Sequence, residues 1–308
     1  MRRLIGIAVV ALATAGNAQS VYEFLRVETS PRAAALGGGN ASANEDADAV
    51  FHNPAGLHKL EGTPVSFSYM SHLMDVNFFG ASGSMEFDGV GRVGAGAKYV
   101  DYGDFTETDE FGNELGEYGA GELALQAGYA LEIEENFTAG VGAKFIYSSI
   151  ADYSSTGAAF DLGLQYDFPI YAATVGVAVR NLGGQLTTYG DVSESLPTDV
   201  SVGVSKTLEH LPLTLYAGVN RVNESKDEIL ERFEAFAIGG EFRLGESFRL
   251  RIGYDNKRRK ELEIGGFAGL AGFNAGFGFD VREYQIGYAY SSLGDVGAFH
   301  RFGVSADL

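Results

Sequence analysis

From Thr63 to the C-terminus the chain alternates between apolar and small or polar positions. In Phe160-Asp161-Leu162-Gly163-Leu164-Gln165-Tyr166-Asp167, Phe, Leu, Leu and Tyr fall on one face and Asp, Gly, Gln and Asp on the other. A period of two belongs to a strand with unlike faces, not to a helix. Phe273–Asp280 and Tyr284–Ser291 repeat the design, and Phe248–Asp255 sets Arg249 and Arg251 opposite its apolar row. Turn signals divide the region into about 14 strands of roughly ten residues. They are predicted near 63–71, 76–87, 90–101, 119–131, 137–150, 155–167, 171–181, 198–207, 212–222, 233–244, 247–255, 273–281, 283–292 and 298–308.

The connections between these strands carry a second pattern. Odd-numbered ones include Tyr102–Tyr118, Leu182–Pro197, Asn223–Arg232 and Asn256–Gly272, whereas even-numbered ones are uniformly short, Asp88-Gly89 being a favoured hairpin turn. Long loops of one parity and tight turns of the other are expected of an antiparallel transmembrane β-barrel, with the long loops outside the cell. A soluble secreted β-sandwich also alternates, but has no reason to sort its loops this way. Closure would pair Ala298–Leu308 with the first strand and leave no open edge in lipid. The lumen would then receive Arg92, Lys98, Glu122, Gln126, Lys144, Asp161, Asp167, Arg180, Arg249, Arg251 and Asp280, either as a mutually neutralised interior or as a polar path for solute.

Composition agrees with unlike faces: Gly numbers 43, Phe 22 and Tyr 16, while Cys and Trp are absent. Without Cys there is no disulfide scaffold, thiolate chemistry or lipid attached through an N-terminal Cys. The formal charge of −19 repels a phosphate backbone and argues against nucleic-acid binding. Met1-Arg2-Arg3, an apolar run from Leu4 to Ala15 and the small residues of Gly16-Asn17-Ala18 read as a secretory signal peptide over 1–18. Its apolar run is too short to span a bilayer.

Between signal and barrel, 19–62 is too rich in Gly and Ala to form a core of its own. It is expected to pack on or inside the barrel as a plug, with Gly37 and Gly38 set closely against the wall and Asn53-Pro54-Ala55-Gly56 forming a rigid turn. Gly37-Gly38-Gly39 lacks the spacing and the Lys-Ser/Thr of a phosphate loop. No GxSxG elbow, metal-ligand spacing of the five His residues or catalytic carboxylate dyad is recognisable. The reading is non-enzymatic, with no cofactor and no metal. Two outer loops are candidate partner sites. One is acidic and includes Asp104, Asp109 and Glu110. Its carboxylates recur at short spacing without the EF-hand calcium pattern. The other, Lys257-Arg258-Arg259-Lys260, is a basic knot that suits anionic lipopolysaccharide or an acidic partner, unless it pairs with the acidic loop.

Tyr22-Glu23-Phe24-Leu25, Ser30-Pro31-Arg32-Ala33-Ala34-Ala35-Leu36-Gly37-Gly38 and Ala49-Val50-Phe51-His52-Asn53-Pro54-Ala55-Gly56-Leu57 together resemble the PorV/PorQ family of outer-membrane proteins. Phe51-His52-Asn53-Pro54, Arg258-Arg259-Lys260-Glu261-Leu262 and Gly269-Leu270-Ala271-Gly272-Phe273 resemble its PorQ branch. The resemblance runs from about Val21 to the end. It implies a 14-stranded FadL-like barrel in the outer membrane of a Gram-negative, Bacteroidota-like bacterium, with the N-terminal segment in or beneath the lumen. It also implies the docking or anchoring of protein partners or cargo of a type IX secretion machinery through the outer loops. The alternative is FadL-like transport of hydrophobic or small solutes.

Overall fold

The computed structural model describes residues 20–44, 46–224, 231, 233–263 and 269–308. The expected signal peptide, 1–18, lies outside the described residues, as do parts of the connections at 223–232 and 256–272. Fourteen strands form one closed antiparallel barrel. They are β1 (Pro64–Ser71), β2 (Asn77–Phe87), β3 (Gly91–Thr108), β4 (Glu114–Glu134), β5 (Phe137–Ile150), β6 (Tyr153–Phe168) and β7 (Ala173–Thr187), then β8 (Asp199–Thr207), β9 (Leu213–Val219), β10 (Phe236–Leu244), β11 (Phe248–Asp255), β12 (Phe273–Val281), β13 (Tyr284–Ser292) and β14 (Ala298–Asp307). The expected seam is present. β14 lies antiparallel on β1, with Tyr69 opposite Phe302 and Phe67 opposite Val304.

The alternation decides which face is inside. Phe160 and Leu162 are 60% and 47% exposed, while Asp161 and Gln165, on the other face, are each 1% exposed. The outward rows are apolar and often aromatic. Tyr69 packs on Phe79, Phe79 on Tyr99, and Tyr288 on Phe302, as contiguous exterior ring pairs. A closed sheet with an apolar exterior and a polar lumen satisfies its backbone internally, the condition for sitting in lipid. We call the end carrying connections 188–198, 220–235 and 256–272 the outer end.

Two expected loops are strand instead. β3 runs on to Thr108 and β4 starts at Glu114, so most of Tyr102–Tyr118 is a two-stranded ribbon. β2 pairs with β3 only up to Asp101, and β5 with β4 only from Ala120, so the ribbon stands clear of its neighbours. Across the pair Phe105 stacks on Tyr118 at 5.4 Å. The ribbon's residues are exposed on both faces, so no apolar alternation marks it in the sequence. β7 likewise extends to Thr187, past a bulge opposite Phe160 and Leu162 where Asn181 adopts φ 58° and its N–H donates to Asp161 at 2.8 Å.

Candidate functional site: the filled lumen

Residues 20–62 fill the barrel. The inner half is built from two short helices and a 3-10 turn. In α1 (Pro31–Ala35), Ser30 is the N-cap and Pro31 occupies the first turn, where a missing N–H costs nothing. Its small side chains let the backbone approach the wall. Ala35 lies against Gly276, and the Leu36–Gly37 backbone leaves no room for a Cβ on Gly253. Gly37 itself has φ 97°, and a Cβ there would press on the Tyr254 carbonyl at 2.8 Å. Its glycine is therefore required twice over. Gly38, with φ 125°, has open space around it.

α2 (Ala49–His52) leads into Asn53, which organises the second contact. The proline that follows biases Asn53 towards extended geometry, and its φ is −153°. Its Oδ1 accepts from the Ala55 N–H at 3.0 Å and caps the 3-10 turn Pro54–Lys59. Its Nδ2 donates to the Ala41 carbonyl at 2.6 Å, with longer bonds to Leu164 on β6 and Val177 on β7. One buried amide thus caps a turn, closes the plug on itself and ties it to two strands. Ala55 packs its backbone on Gly140, and Gly56 faces the Ala43 carbonyl. Asn53 and Ala55 thus lie against Gly163 and Gly140, Gly37 lies apart from them against Tyr254, and Gly38, expected close to the wall, does not touch it.

Charges fix the plug in place. Glu241, completely buried on β10, accepts from Arg32 of α1 at 3.1 Å and from Arg251 of β11 at 2.5 Å. Elsewhere in the lumen Lys144 pairs with Asp161, Arg180 with Asp199 and Arg249 with Asp280, while Lys98 donates to the Val27 carbonyl and Glu122 accepts from Tyr102 and Ser148. Within the plug, Glu28 pairs with His52 at 2.8 Å. Burial alone would raise the Glu28 pKa, but His52, Lys98 and the Ser30 N–H hold it down at about 2. Asp48 accepts from the Ser82 hydroxyl at 2.6 Å. Burial first, then the neighbouring Asp46 carboxylate, push it up to about 6.

The outer half is filled by the segment before the plug. Val21, Tyr22, Phe24 and Leu25 pack with Met70, Phe78, Val100, Ile146 and Leu196 in one apolar cluster. Val21 donates to the Ser195 carbonyl at 3.0 Å, and Tyr22 meets Ser155 through its hydroxyl at 2.5 Å. Arg26 reaches the Thr198 carbonyl at 3.2 Å. Residues 20–27 therefore reach the outer end of the lumen. Between the two halves, a void of about 10 Å³ is bordered by Leu25, Phe51, Lys98 and Lys144.

A plug-filled, 14-stranded barrel invites comparison with known structures. No family model and no curated protein matches the sequence. Among solved structures, the Pseudomonas putida toluene transporter TodX aligns with TM-score 0.61, 12% identity, and coverage of 92% of this chain and 99% of TodX. The Ralstonia pickettii toluene transporter TbuX gives TM-score 0.60 at 14% identity, covering 91% of this chain and 97% of its own. A Pseudomonas aeruginosa FadL homologue gives 0.55 at 11%, covering 92% and 99%. The fold is FadL-like. These neighbours cover about nine-tenths of this chain, and they are described as toluene transporters and a monoaromatic hydrocarbon channel.

On this FadL-like barrel the two candidate partner loops take different forms from those expected. Asp104 lies within β3 opposite Gly119, and Asp109 closes the ribbon tip. The Asp109 carboxylate accepts from the Phe111 and Asn113 N–H groups at 2.8 Å and from the Asn113 side chain at 2.7 Å. These bonds lower its pKa. Glu110 is exposed beside Phe111, itself 82% exposed. Among the described residues, no group of three or more side chains is placed to hold a metal ion. The basic knot is a helix, α3 (Asn256–Glu261), capped by Asp255. Its charges do not reach the acidic ribbon. Lys257 pairs with Glu224 at 2.8 Å, Lys260 with Glu234, and Arg259 with Glu263 at 3.8 Å. Arg258 donates to Asn274 at 2.9 Å. α3 therefore seals the outer rim to the 220–235 connection.

Proposed function

We propose that this chain is an outer-membrane barrel of a Gram-negative bacterium that passes small hydrophobic solutes through its outer chamber. The supporting observation is the apolar cluster in the outer half of the lumen, filled by the chain's own Tyr22, Phe24 and Leu25. The rest of the lumen is polar, with ion pairs such as Lys144–Asp161 and Arg180–Asp199, so this cluster is the part of it suited to an apolar solute. FadL-like neighbours of the same span are toluene transporters and a monoaromatic hydrocarbon channel. An aromatic hydrocarbon is the solute class that fits a site lined in this way. The test is uptake of labelled toluene by cells with an intact outer membrane and no transporter of this kind, with and without this protein. Faster uptake supports the reading, and equal rates refute it.

A second reading keeps the PorV/PorQ resemblance. The β3–β4 ribbon stands free of β2 and β5, carries Asp104, Asp109 and Glu110, and exposes Phe111 at its tip. That shape suits the docking of a protein partner of type IX secretion at the outer face, while the basic Lys257–Lys260 helix is already neutralised and suits lipopolysaccharide less well. Co-purification from outer membranes with the intact ribbon, lost when the ribbon is shortened to a two-residue turn, would favour it.

A further inference from the structure

Most outward positions of the barrel carry large apolar side chains, but one patch does not. On β9 and β10, Ala217 and Gly240 occupy outward positions one row apart, Ala217 opposite Ile238 and Gly240 between Leu215 and Ile252. The missing side chains leave a groove of about 570 Å³ in the exterior, walled by Leu213, Leu215, Phe242, Ile252 and Tyr254. The groove begins beside Leu213, the first residue of β9, at the inner end of the wall. From Leu213 to Ala217 it climbs about 13 Å along the strand, at roughly 3.3 Å per residue. Its lining goes on to Tyr254, penultimate in β11, and Phe273, the first residue of β12, so the groove crosses most of the wall.

A groove of this size cannot stay empty in lipid, and it cannot hold water, which needs two to four polar partners. One charged side chain borders it. Lys206, the penultimate residue of β8, is exposed on the same outward face, opposite Leu215 of β9 and at the inner end. Among the described residues Lys206 makes no ion pair. A cation at the inner end of an apolar trough matches an anionic headgroup with its acyl chain laid along the trough, the lysine stem lying on the apolar surface.

We infer that this groove is a binding site for one glycerophospholipid of the inner leaflet, its acyl chain lying on Gly240 and Ala217 and its phosphate on Lys206. The site rests on the outer-membrane reading of the barrel, though not on transport. The backbone of the plug turn Leu36–Gly37 touches Gly239 and Gly253 on the opposite side of the same wall. The seated lipid therefore supports the thinnest part of the wall where the plug leans on it.

The test uses the full chain purified in detergent, incubated with phosphatidylethanolamine and phosphatidylglycerol and examined by native mass spectrometry. The wild type is expected to retain one phospholipid that Gly240→Phe loses, because the new ring fills the trough. Lys206→Gln is expected to lower retention several-fold without abolishing it. Ala217→Leu, which narrows the same trough, serves as a second variant should Gly240→Phe fail to fold, as judged by heat-modifiable gel mobility. Equal retention by wild type and groove variants overturns the site. So does a dimer mass that disappears in Gly240→Phe, which would make the occupant a second copy, or retention of toluene in place of phospholipid. Recovery of the protein outside the membrane fraction would instead refute the outer-membrane reading, and the two failures are told apart by that fractionation.

Discussion

The side-chain oxygen of Asn53 lies against the α-carbon of Gly163 so closely that no Cβ fits between them. Asn53 belongs to the plug and Gly163 to the wall, and neither can change without the other. Asn53→Ala removes the cap on Ala55 and the bond to the Ala41 carbonyl, a loss of about 1–3 kcal/mol from a buried amide. Gly163→Ala is expected to push the same amide out of its seat. In both variants the plug should become sensitive to protease while the barrel keeps its heat-modifiable mobility. Pro54→Ala should cost less, about 0.4–1 kcal/mol through the freedom of the unfolded chain. Glu110→Ala, at the exposed ribbon tip, should change nothing. Limited proteolysis of the four proteins side by side checks the order.

Glu241 holds two cations at once. Its removal leaves Arg32 and Arg251 facing each other across a buried site, and breaking a buried pair costs about 3–5 kcal/mol. Glu241→Ala should therefore lower the thermal midpoint of the folded band and loosen the plug. The triple replacement Glu241→Leu, Arg32→Met and Arg251→Met should recover much of the loss. A midpoint unchanged in Glu241→Ala would show that the triad does not hold the plug.

Asp48 makes plug stability depend on pH. Its carboxyl is raised from 3.8 to about 6, so the folded protein binds this proton more tightly than the unfolded chain. The contribution is complete below about pH 4 and is lost as pH rises through about 6. Glu28 runs the other way, complete above about 4.5 and lost only towards about 2. Of these two groups, only Asp48 titrates between pH 5 and 7. Protease nicking of the plug should accelerate over that interval in the wild type and stay flat in Asp48→Asn.

Phe24 is buried in the outer apolar cluster. Phe24→Ala should cost about 3–5 kcal/mol if nothing refills the space. An apolar cavity of that kind stays dry and accepts an aromatic guest. Toluene should therefore raise the melting temperature of Phe24→Ala more than that of the wild type. A thermal series with toluene and, as a polar control, glucose measures this directly.

The strands were legible because lipid and lumen demand opposite chemistry on successive residues. Phe137–Ile150 and Phe273–Val281 begin and end where the alternation does. The ribbon was not legible, since both of its faces are exposed and its residues, Asp104, Glu107 and Glu117 among them, carry no apolar alternation. For the plug, the glycine excess was plain, but which backbone each glycine admits is a property of two distant segments, as with Gly163 and Asn53. The position of Tyr22 beside Ser155 depends on the path through the whole lumen and has no local sign. Glu241 was missed for another reason. It stands in Gly239-Gly240-Glu241-Phe242, where a lone acid resembles any lumen charge until Arg32 is seen beside it.

Arg301, on the last strand, donates to the Glu28 carbonyl at 2.7 Å, a contact that spans 273 residues of chain. The same strand closes the cylinder on β1, and the Leu308 N–H reaches the Thr63 carbonyl where the plug leaves the lumen. Entropy of loop closure makes such distant contacts late in folding. The plug segment therefore has to wait, unprotected, until the later β14 arrives to enclose it. Maturation of this protein should be a single slow event, in which enclosure of the interior and completion of the cylinder share one rate constant.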